Sequence, residues 1–471
     1  MVYKSWIIIY LSEAMQKLFM LNYIYQTRKL IQLAAPVFIG QLSQVLMGFV
    51  DTVMAGGVGN ADMAAVSFGG SFWVPAVILV IGMLLPVTSM VSCHFGAGNY
   101  KAIPPLIWSS FYLGLIFSVL VMCVLYNLDY LFYRMELDSN MRELSIIYLK
   151  GILWGVPAVS LLQSLRACVE GISYTVPVMI VSIIGLIFNI ILNYIFINGY
   201  LGAPALGGAG CGVATAIVCW IMLLFMLIYI MRHRRFAEIN LFEKFRGFNS
   251  ESVSRLFFIG APVALSNFFE VSLFSAIIIS ISHLGTDVVA SNQIASSVSS
   301  IVFMLPVSIG IAVSIRVGYY LGLKDPAMAH FSSKTGILVT FFLSILTCLS
   351  TFLFRSEIAD VYSDSMNVVS FASEILMLSA LYQVSDGLQV VCAGALRGYG
   401  DTKTCFFVAL ISYWFIAYPL GYALSMTDLI LTEPMGVKGF WVAVIVGLSC
   451  ASLLFFARLS NLQKKYSVGV F

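Results

Sequence analysis

Long apolar runs alternate with short polar segments along almost the whole chain. Each run approaches or exceeds the roughly 20 residues that an α-helix needs to cross a bilayer, and Gly, Pro, Asn and charged residues separate the runs. The pattern predicts twelve membrane spans, numbered here in chain order: 30–55, 63–92, 105–127, 144–165, 176–197, 210–231, 253–282, 289–315, 331–354, 371–396, 405–425 and 439–457. The predicted fold is an all-α, polytopic membrane protein with twelve transmembrane helices.

Lysine and arginine residues lie mostly on one side of the membrane in this arrangement. If the N-terminus is cytoplasmic, the inner segments hold 20 of the 25 Lys and Arg residues and the outer segments hold five. An excess of positive charge is typical of cytoplasmic loops, and it sets the orientation of the spans. We therefore expect both termini to be cytoplasmic.

The second half of the sequence repeats the first at a nearly constant offset. Pro36 lies near the start of span 1, and Pro262 lies at the equivalent place near the start of span 7. Three glycine pairs keep the offset of these two prolines within one residue: Gly59 and Gly285, Gly171 and Gly398, Gly212 and Gly439. Each half holds six spans, an even number, so the halves are parallel repeats with a cleft between them.

The repeat predicts five parts of the chain. They are an N-terminal cytoplasmic extension (1–29), a first lobe of six spans (30–231), a cytoplasmic linker between the lobes (232–252), a second lobe of six spans (253–457) and a cytoplasmic tail (458–471). Two fused and diverged halves favour alternating access, whereas a channel usually places identical subunits around a pore.

Composition excludes a soluble globular fold. Hydrophobic residues make up 60% of the chain and charged residues 10%, and the mean hydropathy is +0.97. Soluble domains carry about 25% charged residues. The net charge of +3 is too small to indicate a nucleic-acid partner. Nine cysteines include no CxxC pair, so we expect neither a zinc site nor a disulfide framework.

Motifs for catalysis and nucleotide binding are missing from the sequence. It contains no G-x-x-x-x-G-K-[ST] motif, so ATP binding through a P-loop is excluded, and it contains no H-E-x-x-H zinc motif. We therefore expect no enzyme, no catalytic residue and no cofactor. An ion gradient remains as the source of energy.

Three acidic residues lie deep inside predicted spans, whereas Glu374 lies at the start of span 10 near the outer surface. Asp51 is in span 1, Glu270 in span 7 and Asp386 in span 10. A charged group at a helix centre costs about 2.5–3.5 kcal/mol on insertion scales, so such groups usually face a cavity on an ion or substrate path. No Lys or Arg lies at a matching depth to pair with them. The alternative is a structural carboxylate that is hydrogen-bonded to a neighbouring helix.

Other oxygen-bearing side chains lie at the depth of Asp51. Asn189 and Asn193 are one turn apart on span 5, and Thr215 is at a similar depth on span 6. A carboxylate, two amides and a hydroxyl at one level suit a hard cation or a shared proton. Asparagines in apolar helices also serve as contacts between helices, and this reading stays open for Asn189 and Asn193.

A second cluster is predicted in the second lobe. Tyr382 and Asp386 are separated by four residues on span 10 and therefore share one face of the helix. Glu270 lies at a comparable depth on span 7. The sequence thus predicts one oxygen-rich cluster in each lobe.

Three segments carry a resemblance to a known family. They are QLSQVLMGFVDTVMAGGVGNADMAAVSFGGSFWVP (41–75), GAPALGGAGCGVATAIVCWIM (202–222) and QVSDGLQVVCAGALRGYGDT (383–402). These segments resemble the multidrug and toxic compound extrusion (MATE) transporters, and in particular the bacterial NorM type. The similarity extends from about residue 30 to residue 460.

The resemblance implies a V-shaped, monomeric antiporter of the bacterial inner membrane. It implies export of small cationic, amphipathic drugs and dyes in exchange for Na⁺ or H⁺, with Na⁺ as the first choice, and membrane lipids as the surroundings. It also implies a first-lobe ion site at Asp51, Asn189, Asn193 and Thr215, and a second-lobe cation site at Glu270, Tyr382 and Asp386. Either site would suit Na⁺. The main alternative is a lipid-linked saccharide flippase of related architecture, for which a more cationic central cavity is expected.

Overall fold

The computed structural model describes residues 2–135, 138–430 and 432–467. Within these ranges the chain forms helices and connecting turns, and no strand. Eleven helical segments are long and apolar enough to cross a membrane, and one bent pair of helices makes a twelfth. The structure thus confirms the prediction of an all-α protein with twelve spans.

The helices follow the predicted order of spans. Those of the first lobe are Val2–Gly56, Asn60–Leu84 with Pro86–Gly96, Ile103–Tyr126 with Asp129–Arg134, Ser139–Leu153 with Val156–Gly171, Val176–Asn198, and Gly210–Arg232. Those of the second lobe are Ser250–Ile281, Thr286–Gly322, Pro326–Leu353 with Arg355–Tyr362, Met366–Gly398, Thr402–Ala409 with Leu410–Ala417 and Tyr418–Met426, and Val437–Ser467. The first helix is unbroken from Val2 to Gly56, so residues 2–29 of the predicted extension form one helix with span 1.

Two spans depart from a regular α-helix in ways that the sequence pattern did not predict. Span 4 bends by 42° between Leu153 and Val156. Its second segment has a proline in its first turn, where the missing N–H breaks no helical hydrogen bond. Span 11 is π-helical over Leu410–Ala417. Such segments are rare and occur frequently at functional sites.

The two lobes meet closely at the inner ends of spans 2 and 8. A Cβ atom added to Gly96 would lie 2.1 Å from the carbonyl oxygen of Tyr319, and one added to Gly322 would lie 2.0 Å from that of Cys93. Only glycine permits backbones to approach this closely. The repeat offset that matches the prolines of spans 1 and 7 also matches Gly96 with Gly322, and Cys93 with Tyr319. The same contact therefore occurs twice, related by the internal repeat.

Other contacts hold the lobes together near the same level. Ser92 donates a hydrogen bond to the carbonyl oxygen of Ile315 at 2.6 Å. Gln26, near the start of span 1, donates to the hydroxyl of Tyr320 at 2.6 Å and accepts from Arg316 at 2.9 Å. All these residues belong to segments predicted to be at the inner side. The lobes are thus joined at their inner ends, at the vertex of a V.

Candidate functional site

The first-lobe cluster forms around Asp51. Asn189 and Asn193 of span 5 donate to Asp51 Oδ1 at 2.9 and 2.6 Å, and the hydroxyl of Thr215 on span 6 donates to Oδ2 at 2.9 Å. The structure thus brings all four predicted residues together. The two asparagines reach one oxygen because they are one helical turn apart and point to the same face of span 5.

The cluster is closed off from its surroundings. Asp51 is 5% exposed, and both asparagines are fully buried. The thiol of Cys211 contacts the backbone carbonyl oxygen of Asp51 at 3.6 Å. Within the described chain, Oδ1 of Asn193 has no hydrogen-bond partner. Three neutral donors therefore satisfy the carboxylate, and a proton or cation that binds there must compete with them.

The second-lobe cluster joins spans 7 and 10. Tyr382 lies beside Asp386 and interacts with its carboxyl group, and Gln389 donates a hydrogen bond to Asp386 Oδ1 at 3.3 Å. Glu270 is near enough for its charge to repel that of Asp386. Tyr382 and Asp386 are buried, and Glu270 is partly buried. All three predicted residues therefore belong to one electrostatic cluster.

The sequence analysis missed three members of this cluster. Gln389 lies three residues after Asp386 on the same helix, a spacing that could have revealed it. Tyr413 interacts with Gln389 and with both acids. The π-helical segment changes which residues of span 11 share a face, so α-helical spacing did not predict that Tyr413 faces this cluster. The positive charge of Arg397, at the inner end of span 10, also acts on Glu270.

The basic residue near Glu270 refines the prediction that the intramembrane acids lack a partner. In the parts of the chain that the structure describes, the ion pairs within 4.0 Å do not include Asp51, Glu270 or Asp386. Arg397 therefore acts on Glu270 at longer range and leaves its carboxylate available. The two acids of the cluster thus have one basic residue nearby and, among the described residues, none in direct contact.

Both clusters are built from side chains whose oxygen atoms could act as ligands to a cation. No group of three or more His, Cys, Asp and Glu side chains is arranged to hold a metal ion in the described ranges. Carboxylate, amide and hydroxyl oxygens instead suit a hard cation that is bound and released. A small cavity with room for about one water molecule adjoins Tyr382 and Asp386.

Comparisons with known proteins agree with this architecture. The MatE family model matches residues 36–195 and again residues 262–423, so the two matches begin at the pair of prolines that marks the internal repeat. The probable multidrug resistance protein NorM of Shewanella oneidensis is 49% identical over 440 residues, which are 93% of this chain and 96% of that protein. The multidrug resistance protein NorM of Photobacterium profundum is 47% identical over 442 residues, 94% and 97% of the two chains.

A solved structure matches the fold over nearly its whole length. The crystal structure of the eukaryotic MATE transporter AtDTX14 superposes with a TM-score of 0.85 at 18% identity. The match covers 96% of this chain and 100% of that one. Identity this low establishes the shared fold alone.

Proposed function

The chain belongs to the MatE family as a NorM-type multidrug efflux antiporter, and we propose that its two carboxylate clusters couple drug export to the entry of Na⁺ or H⁺. The family model matches both repeats, and the relatives that are named for multidrug resistance align over nearly the whole chain. The observation that supports the coupling role is the burial of Asp51 and Asp386, one in each lobe, with no basic side chain of the described residues within ion-pair distance.

Coupling requires that the ion and the drug favour different states of the two lobes. A ligand shifts a conformational equilibrium only by the difference in its affinity for the two states. An ion that enters from outside binds the acids and favours release of the cationic drug outward. Release of the ion to the cytoplasm then returns the acids to their charged form, which restores affinity for the next drug molecule.

The setting of this cycle is also part of the proposal. The protein is a multi-pass membrane protein, and we place it in the bacterial inner membrane with both termini cytoplasmic, because 20 of the 25 Lys and Arg residues then lie inside. It acts as a monomer in lipid, transports small cationic drugs and dyes, and catalyses no covalent reaction. Na⁺ is the preferred coupling ion.

The test measures ethidium transport by everted vesicles under an imposed Na⁺ gradient and, separately, an imposed pH gradient. We expect Asp386→Asn and Glu270→Gln each to lower the driven rate about fivefold or more, since a neutral side chain removes the difference in ion affinity. Glu374→Gln is the control, because that exposed carboxylate lies near the outer end of span 10 and pairs with Lys438. Wild-type rates in both site variants would refute the assignment.

A further inference from the structure

The linker between the lobes exposes aromatic and basic side chains in alternation. Phe242, Phe245 and Phe248 are 37%, 78% and 56% exposed, and Lys244 and Arg246 are exposed between them. We refer to these five residues as the linker surface. Exposed apolar side chains that are grouped together and bordered by polar ones mark sites of interaction with a protein or a membrane.

The linker surface is held against span 3. The indole nitrogen of Trp108 donates a hydrogen bond to the carbonyl oxygen of Leu241 at 3.2 Å, and the hydroxyl of Tyr112 donates to that of Arg246 at 2.8 Å. The ring of Phe245 packs edge-on against Trp108, with the ring centroids 5.0 Å apart. These contacts fix the position of the linker relative to the first lobe.

The same contacts place the linker surface at the edge of the membrane. Trp108 and Tyr112 lie three and seven residues inside the predicted start of span 3, or about 4–10 Å at 1.5 Å per residue. Phe248 packs against Tyr112 with the ring centroids 5.5 Å apart. Leu115 and Ile116, one turn further along the same helix, are exposed and therefore face lipid. The linker surface thus lies where lipid headgroups meet acyl chains.

The basic residues of the linker surface are available to a ligand. Neither Lys244 nor Arg246 belongs to an ion pair within 4.0 Å in the parts of the chain that the structure describes. The linker 232–252 holds five Lys and Arg residues and three Glu residues. Basic residues beside a membrane attract anionic lipids, and aromatic side chains next to them enter the boundary between headgroups and acyl chains.

We propose that the linker surface binds an anionic phospholipid of the inner leaflet. Lys244 and Arg246 contact the negatively charged headgroup, and Phe245 and Phe248 contact the acyl chains. A lipid of the phosphatidylglycerol class meets both requirements, whereas phosphatidylcholine offers the same chains without a net charge. The surface lies outside the two carboxylate clusters, and it rests on the proposed function only in that the linker faces the cytoplasm.

The test titrates the purified protein in detergent with phosphatidylglycerol and, separately, with phosphatidylcholine, and native mass spectrometry measures the bound lipid. We expect the double variant Lys244→Gln/Arg246→Gln to weaken binding of phosphatidylglycerol about fivefold or more and to leave binding of phosphatidylcholine unchanged. Lys324→Gln is the control, because it removes one exposed positive charge from the inner turn between spans 8 and 9. It should bind both lipids like the wild type.

Two further variants separate the charged and apolar parts of the surface. Glu243→Gln removes an exposed acid beside Lys244, and we expect it to strengthen binding of phosphatidylglycerol about twofold or more. Phe245→Ser/Phe248→Ser should weaken binding of both lipids, because both present acyl chains. A linker with a merely structural role predicts no gain from Glu243→Gln. Unchanged affinity for phosphatidylglycerol in the Lys244→Gln/Arg246→Gln and Glu243→Gln proteins would overturn the proposal.

Competition separates a lipid from a free anion. Inorganic phosphate in excess should leave bound phosphatidylglycerol in place, since it has no acyl chains to contact the phenylalanines. Displacement of the lipid by phosphate would show that the surface recognises the anion alone and would overturn the lipid assignment. Equal affinity of the wild-type protein for the two lipids would overturn it as well.

Failure of the lipid surface is distinguishable from failure of the proposed function. Binding in detergent requires neither transport nor a coupling ion, so its loss leaves the antiport proposal intact. For the leaflet, Lys244→Cys should react with a membrane-impermeant maleimide above the wild-type level in everted vesicles and not in intact cells. Reaction in intact cells would refute the placement in the inner leaflet.

Discussion

The two lobes share a helical plan but place their buried acids at different positions. At the offset of the nearest matched glycines, Asp51 of the first lobe corresponds to Ile277, and Asp386 of the second lobe corresponds to Val159. The backbone contacts of Gly96 and Gly322, in contrast, are equivalent in both lobes. The repeat has therefore kept the contact on which the lobes meet, while the polar chemistry has diverged.

The two sites also differ in how fully their oxygens are paired. Asp51 accepts three close hydrogen bonds from neutral donors in a closed environment. Asp386 has a weaker contact with Gln389 at 3.3 Å and borders a cavity with unpaired oxygens. We therefore expect the proposed coupling ion to displace fewer hydrogen bonds at the second-lobe site than at Asp51, where the three donors must rearrange.

The largest effect on transport is expected at the glycine contact between the lobes, which both lobes share. Gly96→Ala and Gly322→Ala each place a methyl group about 2 Å from a backbone oxygen of the other lobe, an overlap that side chains cannot relieve. Overpacking of this kind costs about 1–3 kcal/mol or more, so we expect coupled ethidium transport to fall about tenfold in both variants.

The symmetry of the contact supplies the sharper test. Gly48→Ala is the control, because a methyl group there meets no atom within 4 Å. Transport in proteoliposomes, normalised to the amount of folded protein, measures the effect. A severe loss in one variant and a wild-type rate in the other would show that the two contacts are not functionally equivalent.

An intermediate effect is expected from removal of the buried acid in each lobe, where the two lobes differ. The quantity compared is the loss of thermal stability. Asp51→Ala leaves two buried amides and a hydroxyl without their acceptor, at a cost of about 1–3 kcal/mol for an unsatisfied group. Asp386→Ala leaves fewer donors, and water in the adjoining cavity can satisfy them. We expect thermal melting in detergent to show a clearly larger fall for Asp51→Ala.

The matched control for these melts is Asp360→Ala, since Asp360 is exposed outside the spans. Its melting temperature should stay close to that of the wild type. Equal losses of stability at Asp51 and Asp386 would contradict the distinction between a paired and an open site.

The smallest effect is expected from Tyr413→Phe. The substitution removes a hydroxyl that interacts with Gln389, which itself donates to Asp386, and that acts on the two acids at longer range. We expect a rise of about twofold to threefold in the half-saturating Na⁺ concentration for ethidium transport in proteoliposomes, in line with the net value of one neutral hydrogen bond. Tyr422→Phe, at an exposed position of the same span, should leave it unchanged.

Much of the site was predictable from residue type and depth. The depth of Asp51, Asn189, Asn193 and Thr215 predicted their proximity, because helices of one bundle bring residues of equal depth to the same level. Tyr413 was not predictable, since its orientation depends on a π-helical segment that α-helical spacing does not describe. The bend of span 4 was missed for a similar reason, because hydropathy indicates how long a span is but not whether its helix axis changes direction.

The sequence alone determined the number of spans, the parallel repeat and the identity of the intramembrane acids. Run length, repeat offset and the cost of burying charge are properties of the chain that require no knowledge of packing. Only the tertiary structure decided which oxygens share a site, that Asp51 is fully paired, and that Asp386 borders a cavity. These features depend on the rotation of each helix about its axis and on distances of a few ångströms between helices.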